Sequence, residues 1–378
     1  MRALLLIAVL AGIAAAEPPS QRPTLQPNHD PNDAPRAFSP WLDFSAHVGG
    51  QTGLSAKPAQ RDALSSPLSP GAEFDSGVGA NRTAEANHRL SSALALAGFY
   101  TGFSTWAYFA WYRGHPPLSR FRAGGDGWFG VETYAGGADK LGHAWATMAL
   151  ARMGSALLRE GGWSRTGSTL TSAALSELLF LNVEIRDGFY FEFSYGDLAL
   201  DTAGMLAAIA LDLWPRLDEF VDFRVQYFPS ARYIDNLDGS PNADGSPSCP
   251  KGGCSRWNIA EDYSGQTFLL ALHLGAFHGL RDWRYGGWSR FVDVAVGFDT
   301  RHYKPPPDPT NRPTAYQELF VGVSLNAQGV FDYLLENRHH ETLRKVTHGL
   351  FEVFNLPFTS VGVGPTRMSH RAPDHGGA

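Results

Sequence analysis

The chain has 378 residues, 43% of them hydrophobic, and a formal net charge of −6, enough material for one large domain or two modest ones. With that charge and no basic block, composition argues against nucleic acid as a partner. Aromatic residues make up 12%, with 24 phenylalanines and 10 tryptophans, a content that suits a membrane interface and equally a thick aromatic core.

Residues 1–16 read as a secretory signal, with Arg2 before an apolar run and Ala14, Ala15 and Ala16 as a small-residue cleavage site. No cysteine stands at the cleavage point, which leaves no place for a lipid-modified amino terminus there. Residues 17–90 are rich in proline, glycine, serine and charge and read as an extended, largely irregular leader, with a lone strand at 42–48.

A helical core is expected over 91–220. Residues 91–112 hold 22 residues without a charge and six aromatic side chains in their second half, long enough to cross a bilayer or to fill the centre of a bundle. Helices follow at 138–159, 168–185 and 196–220, separated by Gly161-Gly162 and Asp187-Gly188. Short connections between four helices point to an antiparallel bundle.

Beyond Val221 the apolar period drops from about 3.6 to 2. Val292, Val294, Val296 and Phe298 alternate with Asp293, Ala295, Gly297 and Asp299, and Val321 and Val323 with Gly322 and Ser324. The span 221–365 therefore reads as an antiparallel strand-rich region, and 366–378 as a disordered tail. Large apolar residues on one face and small or polar ones on the other also describe an outer-membrane strand, but about six strands fall short of a closed barrel. The fold class expected is α+β, a helical bundle of about four helices followed by an antiparallel sheet. Cys249 and Cys254 bracket a glycine-rich loop; in an exported chain that spacing favours a disulfide over a metal site.

Eight charged residues interrupt the apolar helices: Asp139, Lys140, His143, Glu184, Arg186, Asp187, Asp197 and Asp201. Charge withdrawn from water must be paired, so these residues are expected to share one polar cluster. Five carboxylates face one lysine and one arginine, and the excess calls for histidine or carboxyl protonation, bound cations or water. Asp139 and His143, like Asp197 and Asp201, are four apart and share a helical face. Two readings stand. In one, Asp139, His143, Glu184 and Asp201 hold a divalent metal ion, with Asp187 or Asp197 as base; in the other, the charges cap and cross-link helices.

The pieces D-K-L-G-H at 139–143, E-I-R-D-G-F at 184–189 and F-S-Y-G-D-L-A-L-D-T-A-G at 193–204 resemble the YfiM-like family of bacterial envelope proteins, a domain of unknown function labelled as predicted periplasmic lipoprotein. Longer members continue with a segment like E-D-Y-S-G-Q-T-F, here at 261–268, and a strand-rich tail. The resemblance implies an exported, periplasmic and membrane-associated protein, with membrane lipid or an envelope component as partner. The function expected is a structural or binding role in the envelope; the alternative is a metal-dependent hydrolase or transferase acting on a lipid or envelope polymer.

Overall fold

The computed structural model describes residues 76–125, 127–238, 242, 259–284, 286–306, 313–336 and 341–369, with side chains from residue 86 onward. The expected signal segment, the strand at 42–48 and the Cys249–Cys254 pair lie outside the described residues.

The first helix, α1 (Ser76–Ala107), runs into a π-helical turn at Tyr108–Tyr112. It begins well inside the stretch read as leader, because residues 81–90 contain alanine, glutamate, arginine and leucine without a proline, and helix formers of that kind extend a helix whatever their polarity. No helix among the described residues is long and apolar enough to cross a membrane, which corrects the reading of 91–112 as a possible span. Its hydroxyls lower the hydropathy, and two of them, Thr101 and Thr105, donate back to their own helix at Ala97 and Thr101. Phe99, Tyr100 and Phe103 instead pack on Leu150, Leu179 and Phe180 of the following helices.

A short pair of parallel strands, β1 (Ala123–Gly124) and β2 (Phe193–Ser194), brackets two helices, α2 (Ala138–Glu160) and α3 (Arg165–Tyr190), and α4 (Tyr195–Leu213) follows directly. The chain enters α2 through Gly137 at φ +80°, where a Cβ would lie 2.8 Å from Phe129 and 2.9 Å from the Trp128 carbonyl oxygen, so only glycine fits. Ser164 caps α3 by accepting from the Gly167 N–H at 3.1 Å, and Ser194 caps α4 by accepting from the Asp197 N–H at 3.2 Å. The helix expected over 196–220 is two: Pro215 has no N–H to continue the ladder, so α4 ends and α5 (Pro215–Phe220) begins.

Helices α2, α3 and α4 pack on one another in all three pairings. Small residues set the separation: a Cβ on Gly204 would come within 2.1 Å of the Ala144 carbonyl oxygen, which holds α4 close to α2. Between α2 and α3 the seam is hydroxylic, with Ser155, Ser168, Thr169, Ser172 and Ser176 buried and Ser176 donating to the Thr147 carbonyl at 2.9 Å. The apolar centre is Met148, Ala149, Ala151, Ala173, Ala208 and Leu211, closed by Val353 from further along the chain.

The second half opens with β3 (Val221–Tyr227) and α6 (Ala231–Asp238). Then come β4 (Gln266–His273), α7 (His278–Arg281), β5 (Val292–Arg301) and β6 (Tyr316–Leu325). Two helices, α8 (Ala327–Leu335) and α9 (Glu341–Val353), precede β7 (Phe354–Asn355) and β8 (Ser360–Ser369). The sheet has the order β7-β3-β4-β5-β6-β8, antiparallel except where β7 runs parallel to β3. The fold class is α+β. Helices α6 to α9 lie between the strands of the stretch read as strand-rich. One expectation is corrected within this half: residues 366–369, read as disordered tail, form the end of β8 and pair with β6, since an edge strand is held by backbone bonds whatever its side chains.

The sheet curls back on itself. Strands β7 and β6 are four places apart in a sheet whose neighbours are spaced about 4.8 Å, yet Asn355 Nδ2 donates to Ser324 Oγ at 3.0 Å. Gln226 of β3 lies on the same ladder rung as Glu318 of β6, yet its Oε1 accepts from Ser360, which pairs with Ser324 further along β6; a curling sheet staggers its strands in this way.

Curling gives the sheet an inside, and the inside is polar. Arg224 donates to Asp222 and, at 2.8 Å, to Asp293; His273 bridges the same two carboxylates at 3.0 and 2.8 Å, and Asn326 donates to Asp293 at 3.0 Å. All five side chains are buried, together with Leu269, Ala295 and Phe320. The outside is apolar. Where the helices cover it, Phe223, Val225 and Phe268 pack with Ala138 and Trp145; elsewhere Leu270, Leu272, Val296, Val321, Val323, Val361 and Val363 stand exposed.

Two predictions follow from this packing. Gly204→Ala forces α4 off α2 and is expected to destabilise the protein by about 1–3 kcal/mol, read as a lower denaturant midpoint. Burial disfavours charge on His273, but the bonds to Asp222 and Asp293 outweigh it and raise its pKa to about 9. Folded His273 therefore holds its proton more tightly than the unfolded chain; the resulting stability is complete below about pH 6.5 and fades as pH rises through about 9. The unfolding midpoint should fall between pH 6.5 and 9.5, and His273→Gln should flatten that slope.

Candidate functional site

Helices α2 and α4 begin, and α3 ends, at the same end of the helical layer, and there the charged residues meet. Asp139, Lys140 and His143 come from the first two turns of α2, Glu184 and Asp187 from the last two of α3, and Asp197 and Asp201 from the start of α4. Two helix amino termini face the carboxylates, and their dipoles favour negative charge at Asp139 and Asp197.

The cluster has a defined wiring. Lys140 Nζ donates to Asp197 Oδ1 at 3.1 Å. His143 Nδ1 lies 3.1 Å from Asp201 Oδ1 and 3.7 Å from Glu184 Oε1, while its Nε2 faces Asp139 Oδ1 at 4.0 Å. Thr147 Oγ1 donates to Asp201 at 2.8 Å, the Ser194 N–H to Glu184 Oε2 at 3.1 Å, and the Tyr263 hydroxyl to Asp139. Asp187 stands to one side, accepting from the Tyr112 hydroxyl at 2.8 Å. Glu184 Oε1 is buried and has no hydrogen-bond partner among the described residues.

Arg186 does not enter the cluster. Its guanidinium lies 5.9 Å from the centroid of the Tyr112 ring; two residues on from Glu184, it projects about 200° further round the helix. With Arg186 and Asp187 both beside Tyr112, the cluster sets Lys140 and His143 against four carboxylates, Asp139, Glu184, Asp197 and Asp201.

The protonation states follow from burial. Loss of water pushes Glu184 up to about 8 against the pull of His143, and Asp139 up to about 7, with Asp197 adding repulsion and His143 and the Tyr263 hydroxyl opposing it. Burial also lifts Asp187 to about 6, held back by the Tyr112 hydroxyl. Burial disfavours a charged His143, but Asp201 beside it, with Asp139 and Asp197, holds its pKa well above the ordinary value. Near neutral pH His143 therefore keeps its proton, while Asp139, Glu184 and Asp187 lie within reach of a change in protonation, a perturbation that marks candidate functional sites.

The cluster borders a large cavity. Its volume is about 2530 Å³, and it is lined by Leu96, Phe103 and Trp111 and reaches Asp139, His143, Asp187 and Asp197, larger than a typical small-molecule cleft of about 300–1,000 Å³. Asp139, His143 and Asp197, and separately His143, Glu184 and Asp201, each bring ligand atoms within 4.8 Å of one another.

Sequence reasoning missed Tyr112, Thr147 and Tyr263. Tyr263 sits in the E-D-Y-S-G-Q-T-F segment, and that segment's company with the helical motifs was the available signal. Tyr112 and Thr147 gave none, since a tyrosine or threonine in an apolar helix looks like core.

Residues 125–212 match the family described as predicted periplasmic lipoprotein, DUF2279. The matched stretch contains all eight charged residues named from the sequence and leaves out Tyr112 and Tyr263. No curated protein and no solved structure matches the chain. The match supports an exported, periplasmic protein whose helical part resembles a family of unknown function; it does not supply the narrower YfiM-like name.

The Tyr263 hydroxyl is the link from the second half of the chain to this cluster. Tyr263→Phe leaves Asp139 buried without that donor and is expected to cost about 1–3 kcal/mol, measured by urea unfolding at neutral pH.

Proposed function

We propose that the protein is a membrane-associated component of the cell envelope with a structural or binding role. The observation that supports membrane contact most directly is the inverted polarity of the curled sheet. A sheet in water buries its apolar face, whereas here Asp222, Arg224, His273 and Asp293 are inside and Leu270, Val296, Val321, Val323 and Val363 are outside. Apolar-out and polar-in is the arrangement of a sheet whose surroundings are hydrocarbon. An exposed apolar patch of this kind marks an interaction surface, and lipid is the envelope component that asks only for hydrophobicity.

The helical layer lies beside that surface, with its acid and histidine cluster opening to an apolar cavity. In this reading the sheet rests on lipid and the cluster is the binding site the body presents, its excess of carboxylates selecting a cationic ligand.

Sedimentation with phospholipid vesicles tests the membrane contact. The parent protein is expected in the vesicle pellet, and the double variant Leu270→Glu and Val321→Glu, whose changes face outward, in the supernatant with an unchanged melting temperature. A parent protein that stays in solution with vesicles overturns the proposal.

A further inference from the structure

We infer that His143, Glu184 and Asp201 form a binding site for one divalent transition-metal ion. The inference deepens the reading of the cluster as a binding site and rests on it, but not on the contact with lipid.

An excess of carboxylates alone would not define such a site. The pointer to a ligand is Glu184. Its side chain is 1% exposed, and its two oxygens are treated differently: Oε2 accepts from the Ser194 N–H at 3.1 Å, while Oε1 is turned toward His143 and Asp201 and has no hydrogen-bond partner among the described residues. A buried carboxylate oxygen with no hydrogen bond, held only by the 3.7 Å contact to His143, is costly, and a cation that displaces the imidazole proton and sits between the three side chains removes that cost.

The spacing fits an ion. With bonds of about 2.1 Å to nitrogen and oxygen, neighbouring ligands are roughly 3.0 Å apart around an octahedral ion and roughly 3.4 Å apart around a tetrahedral one. His143 Nδ1 lies 3.1 Å from Asp201 Oδ1 and 3.7 Å from Glu184 Oε1, so small side-chain shifts bring the three to one centre. One imidazole with two carboxylates suits zinc or manganese better than calcium, which takes an all-oxygen shell.

Supporting groups hold these ligands in place, as metal sites require. Thr147 Oγ1 fixes the Asp201 carboxylate at 2.8 Å, and the Ser194 N–H fixes Glu184. Lys140 is paired with Asp197, so the nearest fixed cation is engaged on a carboxylate outside the trio. The opening onto the cavity at His143 gives a route for the ion and leaves coordination positions for water or a ligand.

The test uses the full chain, stripped by chelator and titrated with Zn²⁺ and Mn²⁺ by calorimetry, with melting temperature followed in parallel. One ion per chain is expected, with a higher melting temperature when it is bound. Glu184→Gln and Asp201→Asn, both close in shape to the native side chains, should weaken binding at least tenfold and abolish the metal-dependent rise in melting temperature. X-ray absorption on the zinc-loaded parent guards against a variant that misfolds: a shell of nitrogen and oxygen with one imidazole is expected. Absence of stoichiometric binding to the parent, a sulfur-containing shell, or variants that bind as tightly as the parent would each overturn the assignment. Vesicle sedimentation and metal titration read different parts of the chain, so failure of one leaves the other standing.

Discussion

The close approach of α4 to α2, set by Gly204 against the Ala144 carbonyl, is the constraint on which the rest of the helical layer depends. It places the amino termini of both helices beside the carboxyl end of α3, and four carboxylates and a lysine are drawn out of water together around His143. Once buried they must satisfy one another. That requirement fixes Lys140 on Asp197, Thr147 and His143 on Asp201, and the Ser194 N–H on Glu184, and it leaves an oxygen of Glu184 without a hydrogen-bond donor.

The two halves of the chain answer to the same rule in different ways. In the helical layer, polar groups gather at one end of an otherwise small-residue and apolar packing. In the sheet they line the inside, where Arg224 and His273 share Asp222 and Asp293. Curling makes both possible, because it turns one sheet face into an interior small enough for side chains to fill and commits the other face outward. The halves are joined by Tyr263, which donates to Asp139, and by Trp145, whose indole N–H donates to the Val353 carbonyl at 2.8 Å.

Periodicity exposed much of the helical core and of the central strands. The i, i+4 spacing of Asp139 with His143 and of Asp197 with Asp201 was legible, and so was the excess of negative charge. Arg186 shows the limit of that reasoning: a charge two residues from Glu184 in sequence points elsewhere in space, because helical residues two apart diverge by about 200°. Helix α1 was masked at its start by polar helix formers, and the end of β8 by an edge strand's indifference to side-chain polarity.

By itself the sequence determined the α+β class, the helical and strand periods, and which residues had to be paired if buried, since these follow from local spacing and from the cost of desolvating charge. Tertiary structure alone decided which end of the helices the charges share, that Tyr112 and Tyr263 join them, and which face of each strand is inside. Those outcomes depend on how closely helices approach and how far a sheet curls, distances set between residues remote in the chain and therefore absent from any local pattern.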